Sequence, residues 1–342
     1  MQPKVLHVKD GVINDVDFVL CSSGIEGKML YVSDTIVDEL YGAKIKEQLC
    51  RVGCFEEVYV TENTINYADS LVAKIISEQV NCVVGLGGGS VLDVCKYAAY
   101  TANRSFLSIP TTVANDGIAS PIAVLKGDDG RPKSLMCSLA SMLLIDIEVL
   151  AYAPVQLIKA GIGDILSNYM ALLDWELASN RGKEQINGYA YLLSKNAYSL
   201  LLNSKYTDIC KGFVDELVNA HILSGLAMNF TQSSRAVSGS EHLFSHALDY
   251  YSDVKLLHGI QTALGTIAML KLVGKEYGEI LDCLKRYQVD INPERLGIDE
   301  DTFTYCMQHA VEIRQNRYTY LHEVDLSDKY VRTLYRELVK AL

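Results

Sequence analysis

The chain has 342 residues, of which 49 % are hydrophobic and 21 % charged, and its formal net charge at pH 7 is −11. This composition is ordinary for a globular protein and excludes a collagen-like or wholly disordered chain. The acidic balance argues against nucleic acid as a partner, because negative charge repels a phosphate backbone.

The sequence predicts a cytoplasmic protein without a membrane span. No run reaches about 18 uninterrupted apolar residues, and the first twenty residues lack the apolar core of a secretory signal. The nine cysteines are odd in number and form no CxxC pair, which favours reduced thiols. Cys50 and Cys54 lie four residues apart, so a redox or metal role stands beside ordinary packing as an alternative.

Short β-type runs alternate with helical patterns up to about residue 150. Strands are predicted at 4–8, 16–20, 29–34, 56–60, 82–90 and 105–110, and helices at 35–49, 66–79 and 92–103. This alternation indicates a parallel sheet with helices on both faces.

From Pro154 onward the pattern changes to long amphipathic segments. Residues 165–180 and 196–204 show helical periodicity, and Pro293 is the only proline after Pro154. The sequence therefore predicts an α/β domain over 1–153 and an all-α domain over 154–342. A cleft between two such domains is the default ligand site.

A glycine-rich run follows the buried strand that begins at Cys82. It reads Gly85-Leu86-Gly87-Gly88-Gly89-Ser90, and a helical pattern follows. Glycines permit positive φ and a close approach to a ligand, and a helix N-terminus offers free N–H groups to a phosphate. Ser90 can cap the helix or donate to that phosphate. Because Ser90 replaces the last glycine of G-x-G-x-x-G, a tight turn without ligand remains the alternative.

Polar residues follow two other predicted strands. Thr111 and Thr112 come after the strand at 105–110, and Asp34 ends the strand at 29–34. These positions suit a dinucleotide at the carboxyl ends of the strands, and an acid such as Asp34 favours NAD over NADP by accepting from a ribose hydroxyl. An N-cap role for Asp34 at the helix that begins near Thr35 is the alternative.

Three histidines cluster in the second half of the chain. His242 and His246 lie four residues apart, so one helix presents both on the same face, and His258 follows on the next segment. Imidazole suits zinc, iron or nickel, and a catalytic metal commonly keeps three protein ligands. Asp164 is the candidate carboxylate; a first-turn or N-cap acid of a long helix is its alternative.

Five segments together resemble the superfamily that holds glycerol dehydrogenase, iron-containing alcohol dehydrogenases and dehydroquinate synthase. They are GLGGGSVLDVCK (85–96), IPTTVANDGIASP (109–121), AGIGDILSNYMALLDWELA (160–178), SSRAVSGSEHLFSHALD (233–249) and LHGIQTALG (257–265). The likeness is greatest to the glycerol-1-phosphate branch. It implies a dehydroquinate synthase-like fold with an N-terminal dinucleotide-binding domain and a C-terminal metal- and substrate-binding domain.

The resemblance also implies an activity and its partners. The activity is the interconversion of dihydroxyacetone phosphate and sn-glycerol 1-phosphate, a small phosphorylated triose and polyol. The implied cofactors are NAD, with NADP as an alternative, and one divalent metal, zinc before iron or nickel. A homo-oligomer is implied as well.

Residue roles follow from the same resemblance. Asp164, His242 and His258 fall on metal-ligand positions, His246 on a substrate-side histidine, and Asp116 on a substrate-hydroxyl contact. The predicted cofactor-binding residues are Asp34, Gly87, Gly88, Gly89, Ser90, Val91, Leu92, Asp93, Thr111, Thr112, Val113, Ala114 and Ser120.

The chain departs from the family pattern at two places. Ser90 stands where members usually carry Lys or Arg, and Ala236 stands at the proline of the usual SRPASG. Arg235 in that segment is the candidate for the substrate phosphate, because a guanidinium fork suits phosphate oxygens. A structural ion pair is the alternative for Arg235.

Three other functions remain open from the sequence. One is a dehydrogenase of an unphosphorylated polyol or alcohol such as glycerol. The second is a lyase or cyclase like dehydroquinate synthase, which uses NAD and a metal for a transient oxidation. The third is a non-catalytic binding protein, against which the intact set of predicted metal ligands argues.

Overall fold

A computed structural model describes residues 3–342, and the chain forms two compact units. The first contains the chain through Val113 together with Gly117–Pro154, and the second contains Ala114–Asp116 and Val155–Leu342. Among residues 3–342, no helix is both long and apolar enough to cross a membrane.

The first unit is built on a six-stranded sheet and a separate two-stranded hairpin. The strands are β1 (Val5–Lys9), β2 (Met29–Ser33), β3 (Phe55–Tyr59), β4 (Cys82–Gly87), β5 (Ser105–Pro110), β6 (Ile122–Lys126), β7 (Pro132–Met136) and β8 (Met142–Asp146). The sheet order is β1-β8-β5-β4-β2-β3 with all neighbours parallel, and β6 pairs with β7 antiparallel.

Helices cover both faces of this sheet. They are α1 (Val16–Ser22), α2 (Thr35–Val37), α3 (Ala43–Val52), α4 (Ile65–Ser77), α5 (Gly89–Thr101) and α6 (Ile147–Ala151), with a π-helical segment at Asp38–Gly42 and 3₁₀ turns at Val12–Asn14 and Asp116–Ala119. Because strand side chains alternate, Met29 and Tyr31 pack with α1 and α3, while Leu30 and Val32 pack with α4 and α5. The predicted parallel sheet with helices on both faces is confirmed.

The strand predicted at 16–20 is wrong, because these residues form α1. Val16, Val19 and Leu20 are buried and Phe18 is 65 % exposed, the spacing of one helix face. The run is too short for periodicity to separate a strand from a helix. Tertiary contacts decide it: the Val16 amide donates to Gln48 Oε1 on α3 at 2.8 Å.

Strands β6, β7 and β8 have no counterpart in the sequence prediction. Strand β7 carries mostly exposed side chains, so it lacks the alternation that identifies a strand. Its partner β6 is attached to α5 by two buried groups: Asp93 accepts from the Val124 amide at 3.0 Å, and Lys96 Nζ donates to the Ile122 carbonyl at 2.6 Å. The hairpin therefore depends on contacts distant in sequence.

The second unit is helical, as predicted. Its helices are α7 (Val155–Asn180), α8 (Gly188–Leu202), α9 (Lys211–Thr231), α10 (Ser240–Tyr251), α11 (His258–Leu272), α12 (Gly278–Arg286), α13 (Glu300–Ile313) and α14 (Asp328–Ala341), with a 3₁₀ turn at Tyr320–His322. Helix α7 packs against α8, α10 and α11, and α10 packs against α11 and α13. Since α7 begins at Val155, the alternative of Asp164 as an N-cap or first-turn acid is wrong.

Two glycines allow α7 and α11 to approach closely. A Cβ on Gly163 would overlap the Gly259 carbonyl oxygen, and a Cβ on Gly259 would overlap the Ala160 carbonyl oxygen. Each glycine is next to a predicted metal ligand, Asp164 on α7 and His258 on α11. The helix crossing and the distance between these two ligands are therefore linked.

We expect Gly259→Ala to destabilise the fold. The added methyl meets backbone atoms, which cannot rotate away, so the loss in unfolding free energy should be roughly 1–3 kcal/mol. Gly188→Ala is the matched control, because a Cβ there meets nothing within 4 Å at the first residue of α8; it should be neutral or up to about 1 kcal/mol stabilising. Urea denaturation of metal-free protein measures both. Equal stability of the two variants would contradict the close-packing argument.

Candidate metal and cofactor sites

Three side chains from three helices of the second unit converge on one point. Asp164 comes from the middle of α7, His242 from the first turn of α10 and His258 from the first residue of α11. One ligand atom from each lies within 4.8 Å of the others. His258 Nε2 is 3.6 Å and His242 Nε2 is 3.9 Å from Asp164 Oδ1. Two imidazoles and a carboxylate suit a divalent transition metal with room for a further ligand.

Neighbouring groups orient these three side chains. The Asp116 amide donates to Asp164 Oδ2 at 3.0 Å, which leaves Oδ1 toward the histidines. Glu241 Oε1 lies 2.7 Å from His242 Nδ1, and Ser245 Oγ lies 3.2 Å from His258 Nδ1. With Nδ1 as the donor in each ring, both Nε2 atoms carry a free electron pair for a metal. Such outer partners commonly fix the tautomer of a metal-binding histidine.

Burial disfavours the charged forms of these three side chains when no cation is bound. Burial raises the pKa of Asp164 to about 7, and the charge of Glu241 adds to that rise. Burial also lowers the pKa of His242 well below its usual value and lowers the pKa of His258. The histidines are therefore neutral near pH 7, the form that ligates a metal. A divalent cation reverses the penalty on the carboxylate.

His246 lies beside the cluster without being part of it. Its ring centroid is 6.2 Å from that of His242 and 5.8 Å from that of His258. Its Nδ1 is buried and has no hydrogen-bond partner among the residues that the structure describes. A buried polar atom of this kind normally has a partner, so His246 Nδ1 is available to a bound polar group. Asp116 is joined to the same cluster through its backbone amide.

Arg235 is engaged by protein groups. Its Nε donates to Glu184 Oε2 at 2.7 Å, and its Nη2 donates to the carbonyl oxygens of Asp174 and Tyr318 at 2.9 and 2.7 Å. The side chain is buried, and only its Nη1 has no hydrogen-bond partner among residues 3–342. These contacts favour the ion-pair alternative for Arg235 over a role in binding a substrate phosphate.

In the first unit, the predicted cofactor residues meet at the carboxyl ends of β2, β4 and β5. The sheet order reverses between β2 and β4, the topological position at which open α/β sheets bind ligands. Asp34 follows β2, Gly88 follows β4 and Thr111 follows β5. The Thr111 amide donates to the Gly87 carbonyl at 3.0 Å, so these strand ends are adjacent.

The start of α5 is open at this edge. Gly88 is the N-cap with no side-chain capping bond, so the first amides of the helix are available to an anion. Gly88 has φ −81°, and none of the loop glycines adopts a positive φ, so a left-handed turn does not explain them. A Cβ on Gly85 would lie 2.9 Å from Cys95 Sγ, and one on Gly87 would lie 2.8 Å from Val91 Cβ. The buried Thr111 Oγ1 has no partner among residues 3–342. Ser90 is exposed on the first turn.

Other predicted cofactor residues have structural surroundings. Asp93 pairs with Lys96 at 3.0 Å and accepts from the Val124 amide, so both its oxygens are engaged. The Ser120 hydroxyl accepts from the Ile122 amide at 3.0 Å. The buried apolar residues of the set are Val91, Leu92 and Val113. Half-buried Thr112, Gly89 and Ala114 complete the set, Ala114 within the second unit.

Asp34 is an N-cap in the structure. Its Oδ1 accepts from the Val37 amide at 2.9 Å at the start of α2. This confirms the capping alternative and uses one carboxylate oxygen.

Comparison with known proteins identifies the fold. A family model described as "Iron-containing alcohol dehydrogenase" matches residues 7–154. The solved glycerol dehydrogenase from Schizosaccharomyces pombe superposes with a TM-score of 0.81 at 18 % identity, covering 99 % of this chain and 90 % of that one. The fold is therefore that of the iron-containing alcohol dehydrogenases, and the predicted fold class is confirmed.

Two named relatives identify the family to which the chain belongs. Glycerol-1-phosphate dehydrogenase (NAD(P)+) of Methanosarcina barkeri is 34 % identical over 93 % of this chain and 90 % of its own length. The enzyme of the same name from Staphylothermus marinus is 37 % identical over 86 % of this chain and 84 % of its own length. The chain belongs to the glycerol-1-phosphate dehydrogenase family.

We expect Asp164→Ala and His258→Ala to lose the bound metal and all measurable turnover while keeping the fold. Each substitution removes one of three ligands, and the remaining two cannot hold the ion at low metal concentration. His309→Ala is the control, since His309 pairs with Glu312 on α13. Elemental analysis after dialysis gives the metal content. Full metal occupancy in Asp164→Ala would show that Asp164 is not a ligand.

We expect Glu241→Ala to weaken metal affinity about 10- to 100-fold, the usual effect of removing an outer partner of a ligand histidine. The His242 ring then loses the acceptor that fixes its tautomer. Glu241→Gln keeps an oxygen acceptor and should retain more affinity. Competition with a chelator measures both; equal affinities in wild type and Glu241→Ala would exclude the orienting role.

Proposed function

We propose that this chain is an NAD(P)-linked, metal-dependent oxidoreductase that interconverts dihydroxyacetone phosphate and sn-glycerol 1-phosphate. The observation that carries the proposal is the convergence of Asp164, His242 and His258, within 4.8 Å, in a member of this family. The unpartnered Nδ1 of His246 beside them supports a hydroxylated substrate.

The three ligands hold a divalent metal in this proposal. When bound, the metal supplies a Lewis acid at the oxygen on which negative charge develops. Two nitrogens and one oxygen suit zinc, and they also admit iron or nickel, among which availability decides. We propose zinc.

The remaining residues orient the substrate and move its proton. The low pKa of His246, caused by burial and then by the charge of His258, keeps its ring neutral and able to exchange a proton with the substrate hydroxyl. The Asp116 backbone amide fixes the Asp164 carboxylate. In our assignment, the side-chain carboxylate of Asp116 contacts a substrate hydroxyl. A nicotinamide, when bound, supplies or accepts the hydride at the carbon that bears this oxygen.

We propose that the dinucleotide binds at the carboxyl ends of β2, β4 and β5. The open N-terminus of α5 receives the pyrophosphate, and the unpartnered Thr111 hydroxyl donates to it. The carboxylate oxygen of Asp34 that does not cap α2 is available to a ribose hydroxyl and repels a 2′-phosphate, which favours NAD over NADP.

The cellular location of the enzyme, the cytoplasm, is part of the proposal. All nine cysteines are unpaired, which suits the reducing cytoplasm. The homo-oligomer implied by the family resemblance stays a prediction, and analytical ultracentrifugation tests it.

The proposal predicts a strong preference for a phosphorylated ketone. Metal-loaded protein should oxidise NADH with dihydroxyacetone phosphate at a kcat/KM at least about 100-fold above that with dihydroxyacetone, since a doubly charged group adds several charge-assisted contacts. Loss of NADH absorbance is the measurement.

Two other results would contradict the proposal and identify its replacement. Equal or reversed preference indicates a polyol dehydrogenase with the same metal and nicotinamide chemistry. Turnover of neither ketone, with NAD and metal shown to be bound, favours the lyase alternative.

A further inference from the structure

Two arginines near the ligand cluster have no acidic partner in the described part of the chain. Arg314 is the C-cap residue of α13, and Arg317 lies in the segment that follows. Neither guanidinium pairs with a carboxylate within residues 3–342; they bond only to neutral groups. Arg317 is only 7 % exposed. A buried charge without a counter-charge is costly, so such residues normally mark a site for an anion.

The two guanidiniums meet at one hydroxyl. Arg314 Nη1 donates to Ser234 Oγ at 3.2 Å, and Arg317 Nη2 donates to the same atom at 3.1 Å. Arg317 Nη1 also donates to the Ser238 carbonyl at 2.6 Å. These two serines belong to the loop that leads into α10, the helix that carries His242 and His246. The arginines are therefore attached to the element that presents the histidines.

Nearby acids are already used by other groups. Glu184 pairs with Arg235 at 2.7 Å. Glu241 Oε1 accepts from the Gly239 amide at 2.7 Å and is bonded to His242, and Glu241 Oε2 is buried without a partner among residues 3–342. Glu184 and Glu241 act on Arg317 only through their charge, and they are opposed by Arg314 and Arg235. Neither of these two acids forms an ion pair with Arg314 or Arg317.

The positive charges of Arg314 and Arg317 act on His242 and His246. Burial is the first cause that lowers the pKa values of His242 and His246, and the charges of both Arg314 and Arg317 lower them further. Burial, and then the charge of Arg314, lowers the pKa of Arg317 itself. An anion between the two guanidiniums would relieve the repulsion between their positive charges.

We infer that Arg314 and Arg317, with the Ser234 hydroxyl, bind the phosphate of a phosphomonoester substrate whose hydroxyl end lies at the histidine cluster. This inference rests on the proposed function and replaces Arg235 as the phosphate-binding residue. Paired guanidinium forks supply several N–H donors to phosphate oxygens, which matches a dianion better than one lysine does.

Kinetics with two ketones test the assignment. Arg314→Gln removes the less buried charge and should raise KM for dihydroxyacetone phosphate about 30-fold or more, while kcat/KM for dihydroxyacetone stays within about 3-fold of wild type. Arg314→Lys keeps the positive charge but lacks the guanidinium fork, so its KM for dihydroxyacetone phosphate should lie between those of wild type and Arg314→Gln. Arg317→Gln should act like Arg314→Gln if it folds. Arg336→Gln, an exposed arginine on α14, is the control for loss of one positive charge.

The split between ketones separates binding from a structural role. If the arginines only fix the Ser234 loop, the variants impair both ketones alike, and the inference is wrong. It is also wrong if Arg235→Gln, and not Arg314→Gln, abolishes the preference for the phosphorylated ketone. Unchanged KM for dihydroxyacetone phosphate in Arg314→Gln overturns it directly.

Calorimetric titration of metal-loaded protein with inorganic phosphate tests the anion site independently of turnover. Wild type should bind phosphate, and Arg314→Gln should lose at least about tenfold in affinity. If wild type fails to reduce dihydroxyacetone phosphate yet shows this difference, the proposed function fails and the anion site stands. Phosphate binding that depends on Arg314 with an unchanged KM identifies a free-phosphate site and overturns the substrate assignment.

Discussion

The close crossing of α7 and α11 is the constraint on which the proposed metal site depends. Gly163 and Gly259 bring the two backbones to a distance that no Cβ would permit. Asp164 and His258 are their immediate neighbours in sequence, so the backbone contact sets the spacing of two ligands. Because packed helices cannot shift by small amounts without losing contacts, the site geometry is as rigid as the core.

The third ligand is positioned by hydrogen bonds. The Ser240 amide at the start of α10 donates to Asp174 on α7 at 2.6 Å, and Glu241 holds the His242 ring. Asp174 also accepts from the Tyr320 amide at 2.7 Å. Burial raises the pKa values of Asp174 and Glu241 to about 7. These carboxyl groups therefore serve as a buried framework that fixes α10 against α7.

Charge is distributed unevenly around this framework. Glu241 orients the His242 ring, and Arg314 and Arg317 share Ser234 without an acidic partner among residues 3–342. One unit can thus stabilise a cation at the ligand cluster and an anion at the arginines. A phosphorylated hydroxyketone needs both kinds of contact, which an unphosphorylated polyol does not.

The sequence by itself determined the fold class, the family and the three side chains that converge, Asp164, His242 and His258. Strand–helix alternation requires a parallel sheet, and helical spacing puts His242 and His246 on one face. Tertiary structure decided what local pattern cannot encode. The short apolar run at 16–20 became a helix because Gln48 holds its first amide. Arg235 and Arg317 both lie near serines. Only the fold shows that Glu184 pairs with Arg235 and that, among residues 3–342, no carboxylate pairs with Arg317. Partners distant along the chain set the energy of a buried charge, so its role follows from the folded structure alone.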